Sequence, residues 1–492
     1  MPVRVGDGVQ MTWARGRVAT SAGDIFFLIV ALAPVLAVLA VPIQVLDDAG
    51  LHLASADALQ YTLTGEFADV LTWRPGLPPN LTVELIFLGL LQLLSPIWAL
   101  KVVVAGLLGG FAYAARRLVV AAGAPGPWAV LLLPFAWHHL VALGFLGFSA
   151  AVVLALLAVA VALEHPTRPP VARLATILTL TWLTHLIPAL VAVGVCGAVV
   201  VVAVVARRED GETRPAQALR NMVLAALPTV VLTAAFVAST PSGGYVAQNG
   251  GLLRRLVGVV GMVRAGAGIV PAEVAIYGLV ALVLYAATAV ILLVRVRERS
   301  GVRAVDALLV SALIGDLAAL VVPQGVSGAG WWLETRIALF PPLLLAAWVA
   351  AHLGGREAWR GRRPAVAVAA VLGGVALLLV VVRLPAQLDY SAQAAETLAL
   401  APCLPEHSTL VELDLTDPGD LGATRSFPLS NQVGVLAAER RSLDVRNESG
   451  WVPYYLWRYR DGQSADRMLA TQLNGIGNYP PRVDLAGALQ RG

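Results

Sequence analysis

The chain has 492 residues, 58% of them apolar and only 13% charged, with a mean hydropathy of +0.76. That excludes a water-soluble globule, which cannot hide so much apolar surface, and requires a polytopic membrane protein. Net charge is +4, and Lys101 is the one lysine among 35 basic residues. Abundant Ala, Val, Leu, Gly and Pro tie this arginine bias to a GC-rich genome rather than to nucleic acid. Cys196 lies in an apolar run and Cys403 in a polar tail, so no disulfide is expected.

Arg4, Arg15 and Arg17 precede the first apolar run, about 25–45. Positive charge stays in the cytoplasm, so the N-terminus is placed inside. No small-residue cleavage site follows this run, so it is read as a retained span. Residues 46–96 then form the first outer loop. It opens on the string DDAGLH, with Asp47, Asp48 and His52. GLHLASADALQYTL suits an amphipathic helix on the membrane surface, RPGLPPN a turn, and VELIFLGLLQLL a re-entrant or interfacial helix.

Further spans are expected at about 97–115, 127–142, 146–163, 173–186, 188–206, 221–238, 272–294, 304–322, 337–352 and 365–382. With about eleven spans, the arginine clusters after each even span all fall on one side. From 384 the composition turns polar, with a strand-like STLVELDL, turn signals at TDPGD and an aromatic run WVPYYLWRYR. The expectation is an all-α polytopic membrane domain over 1–383 and a small extracytoplasmic α+β domain over 384–492.

Four stretches carry a family resemblance: DDAGLH at 47–52, GFLGFSAAVVLALLAVAVAL at 144–163, LTHLIPALVA at 183–192 and ETRIALFPPLLL at 334–345. Together with the order of spans and loops, they resemble the GT-C superfamily of integral-membrane glycosyltransferases. The resemblance implies a protein of the bacterial plasma membrane that transfers one sugar, with inversion. The donor would be a polyprenyl-phosphate sugar, and the acceptor an outer-face glycan, lipid or protein. It also implies Asp47 or Asp48 as the base.

Such a transfer needs a base, positive charge for the leaving phosphate and a groove open to lipid. Asp48 is the favoured base because it shares a helical face with His52 at i, i+4. The same pair could hold a Mg or Mn ion, although two ligands alone specify none. The plainer reading is a solvated helix start with an acidic cap. Arg336, beside Glu334 and behind Trp331 and Trp332, is either a phosphate ligand or an interfacial anchor. Arg254, Arg255 and Arg264 lie in an outer loop, where they suit a lipid phosphate or a basic helix resting on anionic lipid. His138, His139 and His185 stand at outer turns and are candidates for the cavity wall or for structural hydrogen bonds.

Asp316, within an apolar run, pairs with an arginine or marks a proton path, and the second option supports a transporter or lipid flippase. The aromatic run either stacks on sugar rings or packs the tail onto the membrane domain. The third alternative is a non-catalytic envelope assembly factor whose tail binds a partner.

Overall fold

The structure, a computed structural model, describes residues 21–74, 76–206, 215–240, 245–246, 251–326, 332–354, 362–410, 432–444 and 455–460. In chain order the first elements are α1 (Ala22–Ala40), α2 (Ala49–Thr64), β1 (Leu71–Trp73), α3 (Leu81–Leu91) and α4 (Pro96–Ala121). A 3-10 segment (Gly126–Phe135) leads to α5 (His139–Ala142), α6 (Leu146–Glu164), α7 (Val171–Thr184), α8 (Leu186–Ala206) and α9 (Pro215–Ser239). Next come β2 (Tyr245–Val246), α10 (Leu252–Val260), α11 (Val263–Gly266), α12 (Ala272–Arg297), α13 (Asp306–Val321) and β3 (Gly325–Val326). The last described elements are α14 (Leu333–Ala338), α15 (Phe340–Leu353), α16 (Arg362–Leu398), β4 (Thr409–Leu410), α17 (Gln432–Arg440), β5 (Leu443–Asp444) and β6 (Trp457–Tyr459).

Eight helical stretches among the described residues are long and apolar enough to cross a membrane: α1, α4, α6, α8, α9, α12, the α14–α15 pair and α16. The expected count of about eleven is not met on length. The run at 127–142 is a 3-10 segment with Pro134 inside it, followed by a single helical turn. The run at 173–186 stops at Thr184, and His185 is extended. The run at 304–322 gives the 16-residue α13, which ends before Pro323. Proline removes a helical N–H and clashes with the preceding turn, which accounts for the end of α13 before Pro323.

α6 and the α14–α15 pair lie at the centre of the bundle, 78% and 89% buried along their apolar stretches, against 28% for α1 and for α9. The outer helices turn Leu28, Ile29 and Leu36 of α1, Val223 and Leu227 of α9, and Leu313 and Leu317 of α13 outward. Apolar surface on that scale is the surface a bilayer covers. Ion pairs mark one end of the bundle: Arg116 with Asp24 at 2.9 Å, Arg117 and Arg173 with Glu164, and Arg295 with Asp306, which also accepts from Trp348 Nε1 at 3.0 Å.

The loop 46–96 and the tail meet at the other end. α2 is buried nearly all round, from Ala49 to Tyr61, which corrects the surface-helix expectation. α3 covers one side of it and α17 another, so no face is left for lipid. β1 pairs antiparallel with β6, Thr72 opposite Arg458, so a loop strand and a tail strand make one sheet. β4 and β5 form a short parallel pair. α16 runs without a break across residue 384, where the composition changes, and ends at Leu398. Trp457 and Tyr459 are buried in a small core with Leu59, Tyr61 and Leu443, the packing role rather than the sugar-stacking one. Most of STLVELDL, and TDPGD and residues 451–454, lie outside the described residues.

Candidate functional site

The two leading carboxylates stand where the chain leaves α1 and starts α2. α16 braces the approach: Ile43 N–H donates to Ser391 Oγ at 2.9 Å, and Gln44 Nε2 donates to Gln387 Oε1 at 2.9 Å. Asp47 N–H then donates to Ala142 O at 3.4 Å and Asp48 N–H to Leu143 O at 2.9 Å. Gly144 makes this possible. Its φ is +76°, and a Cβ there would lie 2.6 Å from the backbone nitrogen of Asp48, so only glycine fits. Asp48 is the N-cap residue of α2, but its side chain makes no capping hydrogen bond. The plainer reading of an acidic cap rests on the helix dipole, which needs no such bond.

His52 lies one turn on, its N–H donating to Asp48 O at 3.3 Å. Its acidic neighbour is a residue that sequence reasoning missed: Glu84 of α3, with Oε1 4.0 Å from His52 Nδ1 and both side chains buried. Burial raises the Glu84 carboxyl well above its usual range. Burial also lowers His52 to about 4, with a hydrogen bond donated by the ring to the Gly144 backbone pulling the other way. Glu84 sits in VELIF, an apolar context in which a buried carboxyl is costly unless it has a role. That context was the signal available in the sequence.

His185 joins this group from the α7–α8 junction. Its Nδ1 accepts Ile187 N–H at 3.2 Å, so a neutral ring carries its proton on Nε2 and is a donor there. Burial lowers its pKa, and Arg336 and then His52 push the same way. The edge of Phe148 packs on His185 at 5.3 Å and on His138 at 6.3 Å. Burial lowers His138 to about 3, with His139 and Arg383 adding to the effect. The Arg336 guanidinium lies 4.8 Å from the Phe145 ring. His52, His138, His139 and His185, of the chain's seven histidines, thus gather at one end of the bundle.

Beside this cluster is a cavity of about 460 Å³, lined by His139, Arg254, Val257, Gly258, Val263, Arg264, Ala267, Val274, Gln324, Trp332, Glu334 and Thr335. His139 meets Trp332 edge-on at 6.1 Å. Of the three outer-loop arginines, Arg254 and Arg264 line the cavity and Arg255 does not. Arg336 is not on its wall either; it stands behind it, over Phe145. α10, which carries Arg254 and Arg255, exposes Leu252, Leu253 and Val257, the pattern of a basic helix on lipid. Burial pulls Arg264 below its usual range, opposed by the charge of Glu334. Trp331 lies outside the described residues.

A buried ion pair ties down the loop under this cavity, and it too escaped the sequence reading. Glu273 of α12 accepts the N–H groups of Gly268, Ile269 and Val270 at 2.8, 3.1 and 3.0 Å. Arg383 of α16 donates to Glu273 at 2.8 Å and also to Trp137 O, Gly266 O and Tyr277 Oη. A carboxylate opening one apolar run and an arginine closing another on the same side were the available sign. Asp316 differs: it lies half-buried in α13 and makes no ion pair among the described residues.

For the suggested Mg or Mn ion, no group of three or more His, Cys, Asp or Glu side chains converges among the described residues. Asp48 and His52 alone leave a divalent ion mostly unsatisfied, so the donors present do not fit one. The chain matches no family model, no curated protein and no solved structure. What the site offers chemically is a pair of carboxylates, a neutral imidazole donor and a cationic cavity with an aromatic wall, all at one end of a lipid-facing bundle.

Proposed function

We propose that the chain is a membrane glycosyltransferase of the GT-C kind, acting on a polyprenyl-phosphate sugar at the outer face of a bacterial plasma membrane. The observation that carries this is the join between the carboxylates and the cavity. Asp47 and Asp48 are hydrogen-bonded to residues 142–143, and the same short segment carries His139 on the cavity wall and Phe145 beneath Arg336. In the reaction the acceptor hydroxyl oxygen attacks the anomeric carbon, and the bond from that carbon to the phosphate oxygen breaks. Asp48 takes the hydroxyl proton, and Asp47 is its nearest substitute. The leaving phosphate keeps the electron pair, and its charge is met by Arg254 and Arg264, with Arg336 and the His185 donor behind them.

A transporter would use Asp316 or the Glu273–Arg383 pair. That pair is held by backbone hydrogen bonds on both sides, and Asp316 has no charged partner among the described residues with which to form a relay. An assembly factor would need neither carboxylate.

The test is Asp48→Asn, nearly isosteric but unable to accept a proton. Transfer from radiolabelled polyprenyl-phosphate monosaccharides into cell-envelope acceptor should fall by about 10²–10⁴-fold, the usual worth of a general base. Thermal stability should barely move. Full activity in the Asp47→Asn, Asp48→Asn double variant would remove the reading.

A further inference from the structure

We infer that the tail helix α17 is a positioning element for the carboxylates, one jaw of a clamp whose other jaw is Gly144. This rests on the reading that Asp48 is the base. Gly434 of α17 lies directly on the first turn of α2. A Cβ at 434 would sit 2.3 Å from the carbonyl oxygen of Gly50, 2.5 Å from its carbonyl carbon and 3.0 Å from its Cα. Such contacts are with backbone, which cannot swing aside as a side chain can. Gly144 presses on the same turn from the membrane domain, 2.6 Å from Asp48 N and 2.7 Å from Ala49 N by the same measure. Two glycines, about 290 positions apart in the chain, therefore grip three consecutive residues, Asp48, Ala49 and Gly50.

The tail is anchored well enough to act as a jaw. Val435, Leu436 and Ala437 of α17 are buried. β6 is zipped to β1, Arg74 N–H donates to Leu456 O at 2.7 Å, and Arg460 N–H donates to Val70 O at 2.8 Å. α16, which braces Ile43 and Gln44, also packs on α17. No residue of α17 lines the cavity. The clamp thus acts on where the carboxylates stand, apart from donor binding. A displacement of about 1 Å at a reacting group costs on the order of 10²-fold in rate.

The experiment uses the full chain in lipid nanodiscs, with radiolabelled polyprenyl-phosphate monosaccharides as probe. Gly434→Ala should lower kcat by about 10–100-fold while the KM for the donor stays within about twofold. Hydrogen exchange should rise in a peptide covering 45–53 and stay unchanged in one covering 96–121. Val435→Ala, which thins the packing of the same helix without adding an atom to the contact, should lower kcat less and also leave KM alone. It serves if Gly434→Ala fails to fold. A wild-type kcat with unchanged exchange at 45–53, or a loss that appears in KM instead, overturns the inference. Asp48→Asn is run beside them. If it is inactive while Gly434→Ala is fully active, the clamp fails and the base assignment stands. If Asp48→Asn is fully active, the base assignment fails and the clamp with it.

Discussion

Asp57 shows how single residues in this layer set the protein's response to pH. It is buried in α2, where burial pushes its carboxyl up to about 7 and the charge of Arg441 pulls it partly back. The unfolded chain would ionise it near its ordinary value of about 4. Between about pH 4 and 7 the folded protein therefore holds a proton that the unfolded chain has lost, and this residue's contribution falls as pH rises through that window. His52 and His138, lowered to about 4 and about 3, work the other way. The unfolded chain takes up protons below about pH 6.5 that the folded rings refuse, so their contribution falls as pH falls. Asp57→Asn should raise the melting temperature in detergent at pH 8 and leave it unchanged at pH 4. Equal shifts at both would mean that the folded-state carboxyl is already ionised at pH 4.

At the scale of elements, the Glu273–Arg383 pair joins α12, α16 and the loop between α11 and α12, and both side chains are almost fully buried. Removing one partner leaves an uncompensated buried charge, at a cost of ~3–5 kcal/mol, whereas replacing both with apolar residues restores much of it. Glu273→Gln should lower the melting temperature markedly, and the Glu273→Leu, Arg383→Leu double variant should recover only part of the loss, as read by intrinsic fluorescence, because the N–H groups of Gly268, Ile269 and Val270 lose their acceptor. The sequence made part of this architecture legible. Apolar length and arginine spacing placed the long helices, and the DDAGLH string placed the carboxylates, because both are local signals. The rest is non-local. Glu84 meets His52 only once α3 folds back on α2. Gly434 reads as an ordinary helix glycine until Gly50 is beside it. The surface-helix reading of α2 failed because its cover is supplied by α17, nearly four hundred residues downstream. The three short apolar runs were indistinguishable from spans by composition and were separated only by how far each stays helical.

For the whole molecule, the two free cysteines provide a topology probe without engineering. Cys196 is buried and Cys403 exposed, just beyond α16 at the end of the bundle that carries Asp48. An impermeant maleimide should label Cys403 in intact cells, and Ser300→Cys, in a Cys403→Ser background, only after lysis. Labelling of Ser300→Cys without lysis would invert the orientation. α16 itself has a further consequence. Its 37 residues, with Pro385 inside the helix, trace ~55 Å along the helix axis, where the hydrocarbon of a bilayer needs ~30 Å. One end starts at the arginine-rich face, and the other reaches Gln387 and Ser391, which hold the residues just ahead of Asp47. One continuous helix thus ties the arginine-rich end of the bundle to the turn that carries Asp47 and Asp48, so on the proposed reading the thickness of the host membrane becomes one of the dimensions of the site.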